Sequence, residues 1–292
     1  MPVYAVRHRT IYLYSEPVEL SVNQARLRPR ELAGQRLTHF SLDADPGIED
    51  LREEIDYFGN ASACFKVAGA HERFEITTHS RVDVSWAGRG GPPDSPAWED
   101  AAREMRDAAA PEAREALQFT LDSPLVKPFP ELREYAAADF PAGRPVAEGA
   151  FRLMRRIHRD FRFLPGATGL RTTLEMVFQI RCGVCQDFSH LMIGCLRALG
   201  LPARYVSGYI ETLPKPGKPK LIGADATHAW ISLYVPGAGW IDFDPTNMLL
   251  PGPQHITVAW GRDFSDVSPL RGVLYGGGSQ KLKVEVDVVR EG

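Results

Sequence analysis

Residues 181–200 read RCGVCQDFSHLMIGCLRALG, and their spacing decides how the rest of the chain is read. Phe188, Leu191, Met192, Cys195, Leu196 and Leu199 recur at i, i+3, i+4, i+7, i+8 and i+11, the apolar stripe of a buried helix. Gly200 and Pro202 end it. Gly183 gives the turn ahead of the helix freedom to reverse direction, so Cys185 falls in the first helical turn. Unpaired backbone N–H groups and the positive end of the helix dipole point there. A thiol so placed is activated as a nucleophile, and the same N–H groups can receive a developing oxyanion. Asp187, inside that turn, is placed as a capping acid. Cys195 lies in the stripe and reads as core.

Two further segments supply what a thiolate nucleophile needs, a base and a group to orient that base. His228 opens the strand-like run THAWISLYV, and Asp244 ends the next run, GWIDFD. The PGAG between them is a hairpin turn signal. If the two strands pair, His228 and Asp244 lie side by side. Trp230 shares a face with His228 and is placed to shield the imidazole from water. Asp242 has the same strand parity as Asp244 and is its rival for the third role.

Cys182 and Cys185 form a C-x-x-C, which elsewhere is a redox pair or half a metal site. Redox pairs use the first cysteine, at a helix start after a strand of a βαβ unit; here a helix, TTLEMVFQI, precedes the pair and antiparallel strands follow. A zinc site from Cys182, Cys185 and His190 lacks a fourth ligand, and His190 lies about 140° round the helix from Cys185. We therefore expect no metal and no cofactor, with Cys182 a bystander and His190 a hydrogen-bonded helix histidine. Cys64, in the apolar stretch ASACFKV, reads as a small buried hydrophobe.

The rest of the chain frames this centre. With 34 basic and 37 acidic residues among 292, it lacks the basic excess of a nucleic-acid binder. No apolar run is long enough to span a bilayer, and the N-terminus reads as an alternating strand without a secretory signal. Four cysteines are too few for a disulfide scaffold, so reduced thiols in a cytoplasmic location are expected. Residues 1–90 alternate at the strand period, with Tyr4, Val6, His8, Thr10 and Tyr12 on one side, then Phe74, Ile76, Val82 and Val84. Gly, Pro and Asn punctuation makes this an N-terminal β-sandwich-like domain. Residues 91–145 form a helical linker region broken near Pro111, and 146–250 the catalytic core. It opens with a helix over 146–159 whose Ala150, Phe151, Met154, Ile157 and His158 share a face. Residues 251–292 are an extension ending in a half-exposed strand, KLKVEVDVVR, which returns to one of the sheets. The lysines of PKPGKPK, 214–220, form a solvated loop that could flank the cleft and favour an acidic substrate.

GVCQDFSH, THAW and GWIDFDPT resemble the three motifs of the transglutaminase-like superfamily. IYLYSEPVELSVNQARLRPR and DYFGNASACF resemble the bacterial transglutaminase-like N-terminal region, and RYVSGYI and GRDFSDVSPLRGV resemble further segments of those bacterial proteins, in the same order. The resemblance implies an α+β fold: an antiparallel sheet and a nucleophile helix in a papain-like core. It implies acyl-thioester chemistry, with Cys185 as nucleophile, His228 as base and Asp244, in its D-P-T context, as the orienting acid. Animal transglutaminases carry a tryptophan upstream of the nucleophile that helps stabilise the oxyanion; between Phe151 and Cys185 there is none. That absence favours hydrolysis of a peptide or amide bond over transfer to an amine, with a non-catalytic binding module as a third reading. Gln179, six residues before Cys185, has the spacing of a papain-type oxyanion glutamine; Gln186 is a second supporting candidate. The expected partner is a peptide or protein substrate.

Overall fold

The computed structural model describes residues 2–86, 88, 90–107, 110–169, 172–211 and 227–291. Four strands open the chain: β1 (Val3–Ala25), β2 (Gln35–Asp45), β3 (Glu49–Ile55) and β4 (Ala61–Val84). Six helices and two short strands follow: α1 (Trp98–Asp107), α2 (Pro111–Leu117), α3 (Pro130–Ala137), α4 (Val146–Asp160), β5 (Arg162–Phe163), α5 (Leu174–Ile180), β6 (Cys182–Gly183) and α6 (Cys185–Ala198). Then come β7 (Ala203–Ile210), β8 (Thr227–Val235), β9 (Gly239–Phe243), β10 (His255–Gly261), α7 (Phe264–Val267), β11 (Leu270–Gly276) and β12 (Gln280–Glu291).

The N-terminal part is one six-stranded sheet bent over itself. β1 and β4 pair antiparallel along nearly their whole lengths, and the register slips between Leu13 and Val18 and again before Leu20. Such bulges bend a sheet. On one side of the bend β12 and β2 flank the central pair; on the other, β11 and β3 do. The enclosed face buries Phe65 and Val67 from one half against Phe74 and Ile76 from the other. This is the sandwich the alternation predicts, made by folding two long strands. Cys64 differs from its expected place. It is only partly buried and points its thiol at Glu54, because it alternates with Phe65, which takes the inner face.

The second sheet runs β10-β7-β8-β9, all antiparallel. Its odd-numbered residues on β7 and β8, among them Ala203, Tyr205, Ile231 and Leu233, pack against α6. With α3, α4 and α5 on its other side, α6 is enclosed almost all round, and every residue from Asp187 to Arg197 is buried. In α4, Ala150, Leu153, Met154 and Ile157 carry the buried face. His158, expected there, is exposed and hydrogen-bonds the Thr246 carbonyl oxygen instead.

The expected boundary at residue 250 falls short. β10 joins the second sheet, while β11 and β12 complete the N-terminal sheet. The N-terminal part in turn covers the outer edge of β10. Gln35 donates to the Thr257 carbonyl and accepts the Thr257 N–H, both at 2.7 Å. Asn60 does the same for Trp260, at 2.8 and 2.9 Å. Two carboxamide side chains thus take the place of a neighbouring strand, satisfying edge groups that burial would otherwise leave without partners.

Candidate active site

Cys185 is the first residue of α6, with Val184 in extended conformation as its N-cap. Asp187 Oδ2 accepts the Val184 N–H at 2.8 Å and the Thr168 hydroxyl at 2.7 Å, which ties down the entry to the helix. The role of Gly183 differs from the expected one. The left-handed residue that turns the chain is Arg181 (φ 53°), at the end of α5. Gly183 is needed because a Cβ there would meet Asp187 Oδ2 at 2.5 Å. Glycine lets the capping carboxylate fold back over the strand that precedes it.

β8 presents His228 at its second residue, near enough to Cys185 for the thiol to act on the charge of its imidazole. His228 Nε2 lies 2.7 Å from Asp244 Oδ2, so Nδ1 is the nitrogen left for the thiol. The β8–β9 register pairs Ile231 with Phe243, which puts Asp244 opposite Trp230, two residues along β8 from His228. Asp244 reaches back to the imidazole from a backbone pinned by its bridge to Leu249. Its Oδ1 accepts the N–H groups of Thr246 and Asn247 at 3.0 and 3.1 Å. The rivalry between the two acids resolves through Trp230. Asp242 Oδ2 accepts the indole N–H at 3.1 Å, leaving Asp244 for the histidine. Trp230 is fully buried, its ring centroid 6.1 Å from that of His228.

Burial alone would push the His228 pKa down. The Asp244 charge, its hydrogen bond and the Cys185 thiol outweigh that and raise it to about 10. Burial likewise favours the neutral form of Asp244, but the two histidines facing it hold it well below the usual carboxylate range. The pair therefore favours an imidazolium against a carboxylate, the state that stabilises a neighbouring thiolate.

Sequence reasoning missed two participants. His255, wholly buried at the start of β10, places Nε2 3.1 Å from Asp244 Oδ2. Asn247 donates from Nδ2 to the same oxygen at 2.7 Å. Asn247 could have been found three residues past Asp244, in the DPTN turn. His255 could not, since the chain from Asp244 to His255 passes from the β9 edge of the sheet to the β10 edge, and no local pattern records that.

The supporting candidates separate. Gln186 is partly buried beside Asp187 and lines a small cavity of about 90 Å³ with Leu174, Val177, His190 and Phe264. Gln179 is exposed near the end of α5. His190 accepts the Phe264 N–H at 3.2 Å, and burial pushes its pKa down to about 4. Cys182, in β6, is partly buried, and both it and Cys185 are free thiols. The lysines of 214–220 lie outside the described residues.

Among the described residues, the one group close enough to hold a metal ion is His228, Asp244 and His255. Two imidazoles and a carboxylate are metal-ligand types. Here, though, the Gly252 N–H donates to His255 Nδ1 at 3.4 Å, which leaves the ring proton on Nε2, facing Asp244. The donor set is closed by its own hydrogen bonds.

The family models for the bacterial transglutaminase-like N-terminal region and the transglutaminase-like superfamily match residues 4–83 and 136–245. An uncharacterised protein of Mycobacterium tuberculosis is 42% identical over 295 residues, covering 98% of this chain and 92% of its own. A protein-glutamine gamma-glutamyltransferase of Pseudomonas aeruginosa is 35% identical over 111 residues, covering 37% of this chain and 17% of its own. The crystal structure of a proposed cysteine protease from Cytophaga hutchinsonii superposes with a TM-score of 0.77 at 21% identity, over 99% of this chain and 90% of that one, and so shares the fold. Among the described residues no helix is long and apolar enough to cross a membrane. In sequence from end to end and in architecture, the chain belongs to the transglutaminase-like superfamily, which covers both cysteine proteases and transglutaminases.

Proposed function

We propose that the protein is a thiol hydrolase of peptide or amide bonds, with Cys185 as nucleophile, His228 as general base and acid, and Asp244 as the orienting acid. One observation carries this reading: a thiol at a helix start acts on the charge of a buried histidine whose Nε2 lies 2.7 Å from a buried carboxylate. The Cys185 thiolate attacks the substrate carbonyl, and the first-turn N–H groups of α6 receive the oxyanion. The C–N bond breaks as His228 gives its proton to the departing amine, leaving a thioester. Water, deprotonated by His228, attacks the thioester and the C–S bond breaks, which returns the free thiol. Asp244 keeps the imidazole in one tautomer throughout.

A second reading has the thioester resolved by an amine instead of water, and the likeness to the Pseudomonas aeruginosa gamma-glutamyltransferase favours it over the region shared with that enzyme. The lack of a tryptophan between Phe151 and Cys185 supports hydrolysis. Peptide substrates incubated with and without a tagged primary amine decide between them, with the Cys185 acyl adduct trapped and weighed by mass spectrometry. Cleavage that outruns amine incorporation and vanishes in Cys185→Ala is expected. Amine incorporation outrunning cleavage would install the second reading, and turnover that survives Cys185→Ala would remove both.

A further inference from the structure

Asp244 is fully buried, yet it is ringed by N–H donors from four residues. Oδ1 takes the two backbone groups of Thr246 and Asn247. Oδ2 takes His228, Asn247 and His255. A carboxyl group accepts from so many donors only when it is ionised. His228 is the partner that moves protons in the proposed reaction, and Asn247 rides on the same turn as Asp244. His255 is different in kind: it comes from the far edge strand, and the Gly252 N–H on Nδ1 keeps its proton on Nε2, towards the acid. Its ring stands edge-on to Trp230, centroids 5.2 Å apart, which blocks it from turning away. None of these contacts is needed to build the strand, whose outer edge is already satisfied by Gln35 and Asn60.

We propose that His255 is a positioning residue of this site, holding Asp244 ionised and aimed at His228 through a fixed N–H. The inference rests on the Cys185–His228–Asp244 reading and deepens it. The charged and titratable groups that face Asp244 or its turn come from each packed element. His228 lies on β8 with the Cys185 thiol of α6 behind it, and His255 lies on β10. Asp242 sits two residues away on β9, occupied by the Trp230 indole, and His158 of α4 binds the Thr246 carbonyl. Of these, His228 and His255 donate to Asp244 directly. When His255 no longer donates, the carboxyl keeps its burial but loses a donor that favours its charged form, so it takes up a proton at higher pH. A protonated Asp244 no longer supports the imidazolium, and the Cys185 thiolate loses its partner.

The test is the pH profile of Cys185 alkylation by iodoacetamide, resolved by mass spectrometry and run beside thermal melts, in the full chain. His255→Phe keeps a ring of similar shape without the N–H. Its acid limb should move up by about one pH unit, an approximately tenfold slower reaction at a fixed pH on that limb. His255→Gln, whose amide nitrogen sits near the place of Nε2, should return the limb most of the way. If the Phe variant does not fold, His255→Asn, too short to reach Asp244, takes its place against His255→Gln. Superposable profiles for wild type and the Phe or Asn variant would overturn the proposal, as would equal shifts in the Gln variant and its partner. His228→Ala separates the two levels. A profile unmoved by His228→Ala overturns the triad reading and this inference with it. A profile moved by His228→Ala but not by the His255 variants overturns this inference alone.

Discussion

Gly208 lies in the middle of the second sheet, paired with His228 on one side and Thr257 on the other. A Cβ there would stand 2.1 Å from the Ile256 carbonyl oxygen and 2.6 Å from the Trp230 ring. The bare backbone is what lets the Trp230 indole lie across β7. Gly208→Ala must therefore push either β10 or the indole. Overpacking of a core costs about 1–3 kcal/mol, and a clash with a backbone carbonyl belongs at the upper end. If the indole moves, its N–H leaves Asp242 and is stranded in the interior, for about 1–3 kcal/mol more. The expected loss is about 4 kcal/mol. With an unfolding entropy of about 2 cal/mol/K per residue, a chain of 292 residues should then melt about 5–8 °C lower. Differential scanning calorimetry measures this, and near-UV circular dichroism follows the tryptophan. Because Trp230 also packs on His228 and His255, Cys185 alkylation should slow as well. A melting temperature within about 1 °C of wild type would refute the claim that the absence of a side chain at Gly208 holds this packing.

Two other expectations concern the junction between the two sheets. Gln35→Ala strips the Thr257 N–H of its acceptor, so hydrogen exchange at the Thr257 amide should speed up while stability drops by about 2 kcal/mol; unchanged exchange would show that the edge is covered by something else. His8 is buried against the Tyr209 hydroxyl, and burial pushes its pKa down to about 4 from an ordinary 6.5. Between those values the unfolded chain binds more protons than the folded one, so stability falls as pH drops, by up to about 3 kcal/mol from this group. Urea midpoints for wild type and His8→Gln should converge across that window, and parallel curves would refute the assignment. His228 acts in the opposite sense, since its contribution is present below 6.5 and is lost as pH climbs towards 10.

What was legible in the sequence was whatever a local period or a short motif records. The α6 stripe, the hairpin of β8 and β9 and the alternation of β1 each repeat within a dozen residues, so their burial is written in the pattern. The meeting of Cys185, His228 and Asp244 was readable because a helix start and two neighbouring strands have few ways to pack. What escaped depends on pairings across long separations. Nothing in QHITVAW marks it as the far edge of the second sheet, so the sequence hides His255 and the place of β10 in that sheet. Cys64 was misplaced because apolar neighbours cannot tell which face of a bent sheet turns inward. Gly183 was named for its freedom of rotation, whereas the space beside it is what Asp187 uses.

The bent sheet has a consequence for the order in which the molecule is made. Its first strand finds its last partner far along the sequence: Val3 pairs with Glu291 and Tyr14 with Gln280. During synthesis the helices and all four strands of the second sheet emerge before β1 has both edges occupied. The unit that braces the second sheet is thus finished after it, and losing β12 would uncover β1 from Val3 to Tyr14.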